Sequence, residues 1–307
     1  MNKQQLGRGV ITPMITPMTN RGQIDLDSAA KIIDHLINGG SAPFILGTTG
    51  ESASIAEFER PAFVQTMINV ASARSMTYAG ISSPSFYTSV QAAEKYFELG
   101  VDAVVAHPPS YYPLTADQLL NYYETLANTI SGPLILYNIP SVTHVSIPLS
   151  IVDQLSHHEK IIALKDSERD LERLHDSLQL WTEREDFSHL LGWGAQMATG
   201  LLKGSHGLVP STGNLVPKMY SDMYIAALKQ DEEEVNHLQE LTNQISAIYQ
   251  KDRTLGQSLA ALKVMMYGID LCEPYVALPL KRLGIEEEQL ILEQMRKYDF
   301  KSKVSID

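Results

Sequence analysis

Residues 160–166 read KIIALKD. Ile161, Ile162, Ala163 and Leu164 form a run with the length and β-branched content of a buried strand, and the run ends on Lys165. A lysine that finishes an apolar strand is poorly solvated, and burial disfavours the ammonium form, so its pKa is expected to fall. A neutral amine at that point is a nucleophile able to join a carbonyl carbon as a Schiff base. Taken alone, the stretch favours a simpler reading, an ordinary strand-end lysine with its amine in water.

The same kind of run recurs along the chain. GVITPMI (9–15), PFILG (43–47), MTYAG (76–80), DAVVA (102–106), PLILY (133–137), KIIALK (160–165), SHLLG (188–192) and HGLVP (206–210) make eight. Between them lie stretches of helical periodicity, among them 27–38, 56–73, 85–99, 115–130 and 217–229. Asp27, Ser85 and Thr115 read as N-caps, Thr115 with Gln118 at the capping-box position. The glycines of Asn38-Gly39-Gly40, Leu99-Gly100 and Ser131-Gly132 read as helix stops. Strand then helix, eight times over, requires a parallel sheet covered by helices, and eight closes as a (β/α)8 TIM barrel of the α/β class. The competing open, doubly wound sheet carries a glycine fingerprint after its first strand. Here that position holds TPMTNRG, and GWGAQM (192–197) has two of the three glycines and comes late.

Past residue 230 the pattern turns helical. Val235, Leu238, Leu241, Ile245 and Ile248 recur at helical spacing in 231–250, and further helices are expected around 255–267 and 286–297. No Pro- or Gly-rich linker intervenes. The expected organisation is a barrel over 1–230 and a C-terminal helical extension over 231–307, packed on it.

Composition narrows the partners. The 307 residues are 44% hydrophobic and 20% charged, enough for a barrel-sized core. A formal net charge of -12 argues against nucleic acid or an anionic membrane surface, since both repel an acidic protein. A small anionic substrate needs only a few local donors. Cys272 is the one cysteine, which rules out an intramolecular disulfide framework and reads as a packing residue. The start, MNKQQLGRGV, lacks the apolar core of a signal peptide, and no run reaches the length of a membrane span, so a cytoplasmic location is expected. The histidines, His157-His158 included, lack metal-site spacing, and neither metal nor cofactor is expected.

In a barrel the chemistry sits where strands finish. The second strand runs into Gly47-Thr48-Thr49-Gly50-Glu51, a tight turn able to aim N–H groups and hydroxyls at an anion. Pro108, Pro109 and Pro113 stiffen a loop presenting Tyr111 and Tyr112 after the fourth; Tyr137 ends the fifth and Lys165 the sixth. Each alone reads as a structural residue. Together they place an anion cradle, a phenol and an amine around one mouth. STGN (211–214) and GWG (192–194) occupy the usual phosphate-binding region of such barrels, so a phosphorylated substrate stays open.

GTTGE, YYP, YNIP, the strand-end lysine followed by DS, and G-x-x-x-S-T-x-N (207–214), in that order, resemble the dihydrodipicolinate synthase / N-acetylneuraminate lyase family. The resemblance spans the barrel from Gly9 to Asn214, and the helical tail fits it too. It implies that Lys165 forms a Schiff base with pyruvate or another 2-oxo acid, with Tyr137 as general acid and base. Thr48 would relay protons between Tyr137 and Tyr111, and Gly47, Thr48 and Thr49 would hold the substrate carboxylate. Gly192, Val209, Ser167 and Ser211 would line the pocket. Tyr111, or alternatively Tyr112, would enter a neighbouring subunit's site, which implies a homo-oligomer, dimer or tetramer.

Three departures bear on the substrate. Dihydrodipicolinate synthases carry an arginine two residues after YNxP, where this chain has Val142, and a valine offers no bidentate carboxylate fork. N-acetylneuraminate lyases carry an acidic pair after the seventh-strand Gly-aromatic, whereas Gly194-Ala195 follows Gly192-Trp193 here. KDS (165–167) is similar to the 2-keto-3-deoxy sugar-acid aldolases, which often have glycine where Arg169 stands. Arg169, His144 and Trp193 are candidates for contacts peculiar to this chain. The expected activity is a sugar-acid aldolase that releases pyruvate, with a sugar-acid dehydratase, dihydrodipicolinate synthase and a non-catalytic 2-oxo-acid sensor as alternatives.

Overall fold

A computed structural model describes residues 6–297. Eight strands, β1 (Gly9–Pro13), β2 (Ala42–Ile45), β3 (Tyr78–Gly80), β4 (Ala103–Ala106), β5 (Leu134–Asn138), β6 (Ile161–Asp166), β7 (Ser188–Leu191) and β8 (Gly207–Leu208), pair in parallel in chain order and close into a barrel. The helices that cover it are α1 (Leu26–Asn38), α2 (Arg60–Ala71), α3 (Phe86–Leu99), α4 (Ala116–Thr129), α5 (Pro140–Thr143), α6 (Leu149–Leu155), α7 (Leu171–Trp181), α8 (Met197–Leu202) and α9 (Pro217–Leu228). The TIM barrel expected from the strand–helix alternation is the fold observed.

Period-2 alternation sorts each strand between two cores. Ile135 and Tyr137 of β5 and Ala163 of β6 join Phe44, Tyr78 and Leu190 in a cluster inside the barrel. Leu136 and Leu164 face the other way, into the larger cluster shared with the helices. Lys165 follows Ala163 by two residues, so it points inward; Asp166 points to the helix layer. The β5–β6 register sets Tyr137 opposite Lys165. That register makes a phenol and an amine neighbours at the rim.

Caps differ from expectation in two places. Asp25, not Asp27, caps α1, accepting from the Ser28 N–H at 3.1 Å, and Asp27 falls in the first turn. Ser85 and Thr115 cap as expected, and Thr115 forms its capping box with Gln118. Gly100 ends α3 in the left-handed region, at φ 103°. Gly132 is no helix stop: α4 ends on extended Ile130, and a Cβ on Gly132 would lie 2.5 Å from the Phe97 ring. The stretch 56–73 opens with a 3-10 turn, Glu57–Glu59, before α2.

The extension comprises α10 (Glu232–Gln250), α11 (Leu255–Gly268) and α12 (Ile285–Lys297). Val235, Leu238, Ile245, Leu262, Ile291 and Met295 belong to the same hydrophobic cluster as the outer barrel residues. Cys272 is buried there, and burial pushes its thiol up to about 12. Two expectations reach beyond the described residues: the first five positions of MNKQQLGRGV, and 298–307 of the extension. Among the described residues no helix is long and apolar enough to cross a membrane.

Candidate active site

The mouth of the barrel opens into a cavity of about 460 Å³. Thr48, Thr49, Tyr137, Lys165, Ser167, Gly192, Val209 and Ser211, contributed by five strand ends, all line it. Of the residues singled out for pyruvate, Gly47 and Tyr111 do not.

Lys165 is 4% exposed. Its Nζ lies 3.7 Å from the centroid of the Tyr137 ring and 4.8 Å from that of Phe44. Neither ring can take its proton's charge as a carboxylate would, and Asp166, next in sequence, is held away on the outer face. Burial alone therefore pulls the amine down from 10.5 to about 7. Near neutrality roughly half of such amines are unprotonated and nucleophilic.

The Tyr137 hydroxyl sits 3.2 Å from Thr48 Oγ1, with the Ser167 hydroxyl close by. Burial pushes the phenol up to about 12, and the two hydroxyl partners offset only part of that. It thus holds its proton at neutral pH and can give it to a developing oxyanion. Gly192 leaves room for Ser167: a Cβ there would collide with Ser167 Oγ, and the Gly192 N–H donates to the Asp166 carbonyl at 2.6 Å.

The cradle after β2 is made by local backbone geometry. Leu46 is a buried leucine at φ 57°, a costly conformation for a bulky side chain. Gly80 makes it possible, because a Cβ there would meet the Leu46 carbonyl oxygen. The turn leaves the Thr48 and Thr49 N–H groups without protein acceptors among the described residues. A pair of free donors at a cavity wall is able to receive an anion.

Residues that local patterns did not reveal hold this arrangement. Glu51 ion-pairs with Lys263 of α11, both buried, and accepts from the Ala277 N–H at 2.7 Å. Lys263 donates in turn to the Tyr275 carbonyl at 2.7 Å. Behind Lys165, Asn138 donates to Asp166 at 2.9 Å and to Glu168 at 2.8 Å, while Arg173 pairs with the same two carboxylates at 2.6 and 3.3 Å. Tyr249 of α10 bonds Ser211 and Thr212 at 2.8 and 2.9 Å. Asn214 fastens the same loop to β1 through the Pro13 carbonyl and the Ile15 N–H.

Other singled-out residues lie at or beyond the rim. Tyr111 is 79% exposed and packs edge-on against Tyr112. Arg169 lines the cavity, and Trp193 lines a smaller one beside it. His144 ends α5 at φ 57°, and half-buried Val142 packs against the inner cluster. Lys218 pairs with Asp222 of its own helix at 2.8 Å.

A model of the dihydrodipicolinate synthetase family matches residues 6–297. The 4-hydroxy-tetrahydrodipicolinate synthase of Alkalilimnicola ehrlichii is 29% identical over 291 residues, 94% of this chain and 97% of that protein. The structure of dihydrodipicolinate synthase from Bacteroides thetaiotaomicron superposes with a TM-score of 0.90 at 33% identity, over 95% of this chain and 99% of that one. YagE, a prophage protein of E. coli solved in complex with pyruvate, shares the fold with a TM-score of 0.90 at 23% identity, over 96% and 99% of the two chains. A family match over nearly the whole length, on a barrel with an amine at its mouth, shows that this chain belongs to the dihydrodipicolinate synthetase family and is, like its homologues, a lyase.

Proposed function

We propose that the protein is a Schiff-base-forming lyase that cleaves or condenses pyruvate with an aldehyde, acting on a 2-keto-3-deoxy sugar acid. The observation that carries this reading is the buried Lys165 amine, brought to about 7 beside a Tyr137 hydroxyl that Thr48 and Ser167 hold. The substrate carboxylate docks on the Thr48 and Thr49 N–H groups. Lys165 then attacks C2, Tyr137 protonates the carbinolamine oxygen, and water leaves. The resulting iminium is an electron sink: the C4 hydroxyl gives its proton to the Tyr137 phenolate left by the previous step, the C3–C4 bond breaks, and its electrons settle as an enamine. Release of the aldehyde, protonation at C3 and hydrolysis return pyruvate and free Lys165. Ser211, Gly192 and Val209 shape the floor. Exposed Tyr111 serves the site of a neighbouring copy, so the working unit is a homo-oligomer in the cytoplasm.

A second reading, 4-hydroxy-tetrahydrodipicolinate synthesis, is favoured by the name of the Alkalilimnicola relative. Against it stands Val142, which offers no donor to a distal carboxylate. Borohydride added with pyruvate is expected to leave a reduced pyruvyl group on Lys165; an unmodified lysine refutes the reading. Tyr137→Phe should still trap pyruvate but turn over 10²- to 10⁴-fold more slowly, roughly the worth of a positioned acid. Release of pyruvate from a panel of sugar acids, with aspartate semialdehyde condensation in parallel, separates the two readings.

A further inference from the structure

Beside the main cavity lies a smaller one of about 140 Å³. The two share Arg169, Gly192, Ser211 and Gln250, so they form two lobes of one site. The second lobe adds Trp193, Thr212 and Ser246, two hydroxyls and an indole.

The charges lining these lobes are unusual for this chain. It carries 36 Asp and Glu against 24 Lys and Arg, yet among the described residues no carboxylate lines either lobe. Three cations do: Lys165, Arg253 and Arg169. Lys165 is the proposed nucleophile. Arg253 is already neutralised, with Nε and Nη2 on Glu287 at 3.1 and 2.9 Å and Nη1 on the Ile248 carbonyl. Arg169 has no hydrogen-bond or ion-pair partner among the described residues. Its sequence neighbours do not neutralise it either. Glu168 is taken by Arg173, Asn138 and Ser146, and Asp170 caps α7 through the Glu172 and Arg173 N–H groups.

A guanidinium with five free donors, standing where the two lobes meet, is matched by an oxyanion rather than by a polyol. We infer that Arg169 selects the aldehyde half of the substrate, binding a terminal carboxylate or phosphate of a 2-keto-3-deoxy acid that is anionic at both ends. The C1 carboxylate occupies the Thr48–Thr49 cradle and the far oxyanion meets Arg169, with Ser246 and Gln250 within the same lobe. This inference rests on the lyase reading above.

The test compares kcat/KM for three 2-keto-3-deoxy acids of matched length, ending in a hydroxymethyl group, a carboxylate or a phosphate. The wild-type enzyme is expected to prefer one anionic terminus over the hydroxymethyl by at least about 10-fold, and the better anion names the source. Arg169→Ala should lower that preference by roughly 10- to 100-fold, the worth of a charge-assisted pair. Arg169→Lys should restore more of it for phosphate than for carboxylate, because only the fork binds carboxylate bidentately. Pyruvate trapping by borohydride on the wild-type enzyme runs alongside. No wild-type preference, or a preference unchanged in Arg169→Ala while Lys165 is labelled, overturns the inference alone. Absence of the label overturns the lyase reading and the inference with it.

Discussion

Lys165→Met should stabilise the protein, and by an amount that depends on pH. The folded-state pKa of Lys165 is about 7, against 10.5 for a solvated lysine. Between those values the unfolded chain holds a proton that the folded chain has released, so stability rises with pH across that window. Below about pH 7 both states are protonated, and the folded state bears the full cost of a buried ammonium. At about 1.4 kcal/mol per pH unit, the interval from 10.5 to 7 amounts to about 5 kcal/mol. The Tyr137 and Phe44 faces, 3.7 and 4.8 Å from Nζ, return roughly 0.5–2 kcal/mol to the ammonium. A methionine of similar length carries neither charge nor penalty. Urea unfolding of both proteins should therefore show the variant ahead by about 3–5 kcal/mol at pH 6, falling to about 2 kcal/mol at pH 9. The rate of pyruvate trapping by wild-type enzyme should climb through pH 7 and level off by about pH 8, instead of rising towards 10. A stability difference that is the same at pH 6 and pH 9 would show that desolvation does not set the reactivity of this amine.

Two further predictions concern the scaffold. Lys263→Met leaves Glu51 buried without its cation and should cost about 3–5 kcal/mol in urea unfolding, with weaker pyruvate trapping because Glu51 closes the turn that carries Thr48 and Thr49. Adding Glu51→Gln, which keeps an acceptor for the Ala277 N–H, should recover at least half of the loss; strictly additive losses would contradict the pairing. Gly192→Ala pushes a methyl against Ser167 Oγ and should cost about 1–3 kcal/mol while slowing turnover, and wild-type turnover in this variant would mean that Tyr137 does not depend on Ser167.

Eight apolar runs separated by helical stretches carry their own solution, since parallel neighbours require crossovers and a parallel sheet with helices on every crossover closes at eight. The helix ends were less legible. Asp25 and Asp27 are equally good capping residues on paper, and the choice depends on which backbone turns first. Gly132 looks like a stop but answers to a ring 35 positions earlier, that of Phe97. Composition could not reveal either, because both depend on where a neighbouring element lands.

The candidate site divides along the same line. Lys165, Tyr137, Thr48 and Thr49 are strand-end residues, and strand ends can be counted along the chain once the barrel is recognised. Their supports cannot. Glu51 meets the Ala277 N–H across 226 residues, and Arg173 reaches Asp166 from the helix layer. Such pairs leave no period and no spacing in the sequence, because they are made by packing between elements rather than within one. The unpartnered state of Arg169 is a further case: its charge is visible in the sequence, but whether that charge is free depends on where Glu168, Asp170 and Glu287 are spent. The sequence by itself therefore determined the barrel and the amine at the sixth strand end, which follow from local periodicity and order, while its ordered motifs carried the resemblance to the family. The folded chain decided which groups are desolvated, which are paired and which remain open to a ligand, because burial and pairing are properties of contacts between residues far apart in the chain.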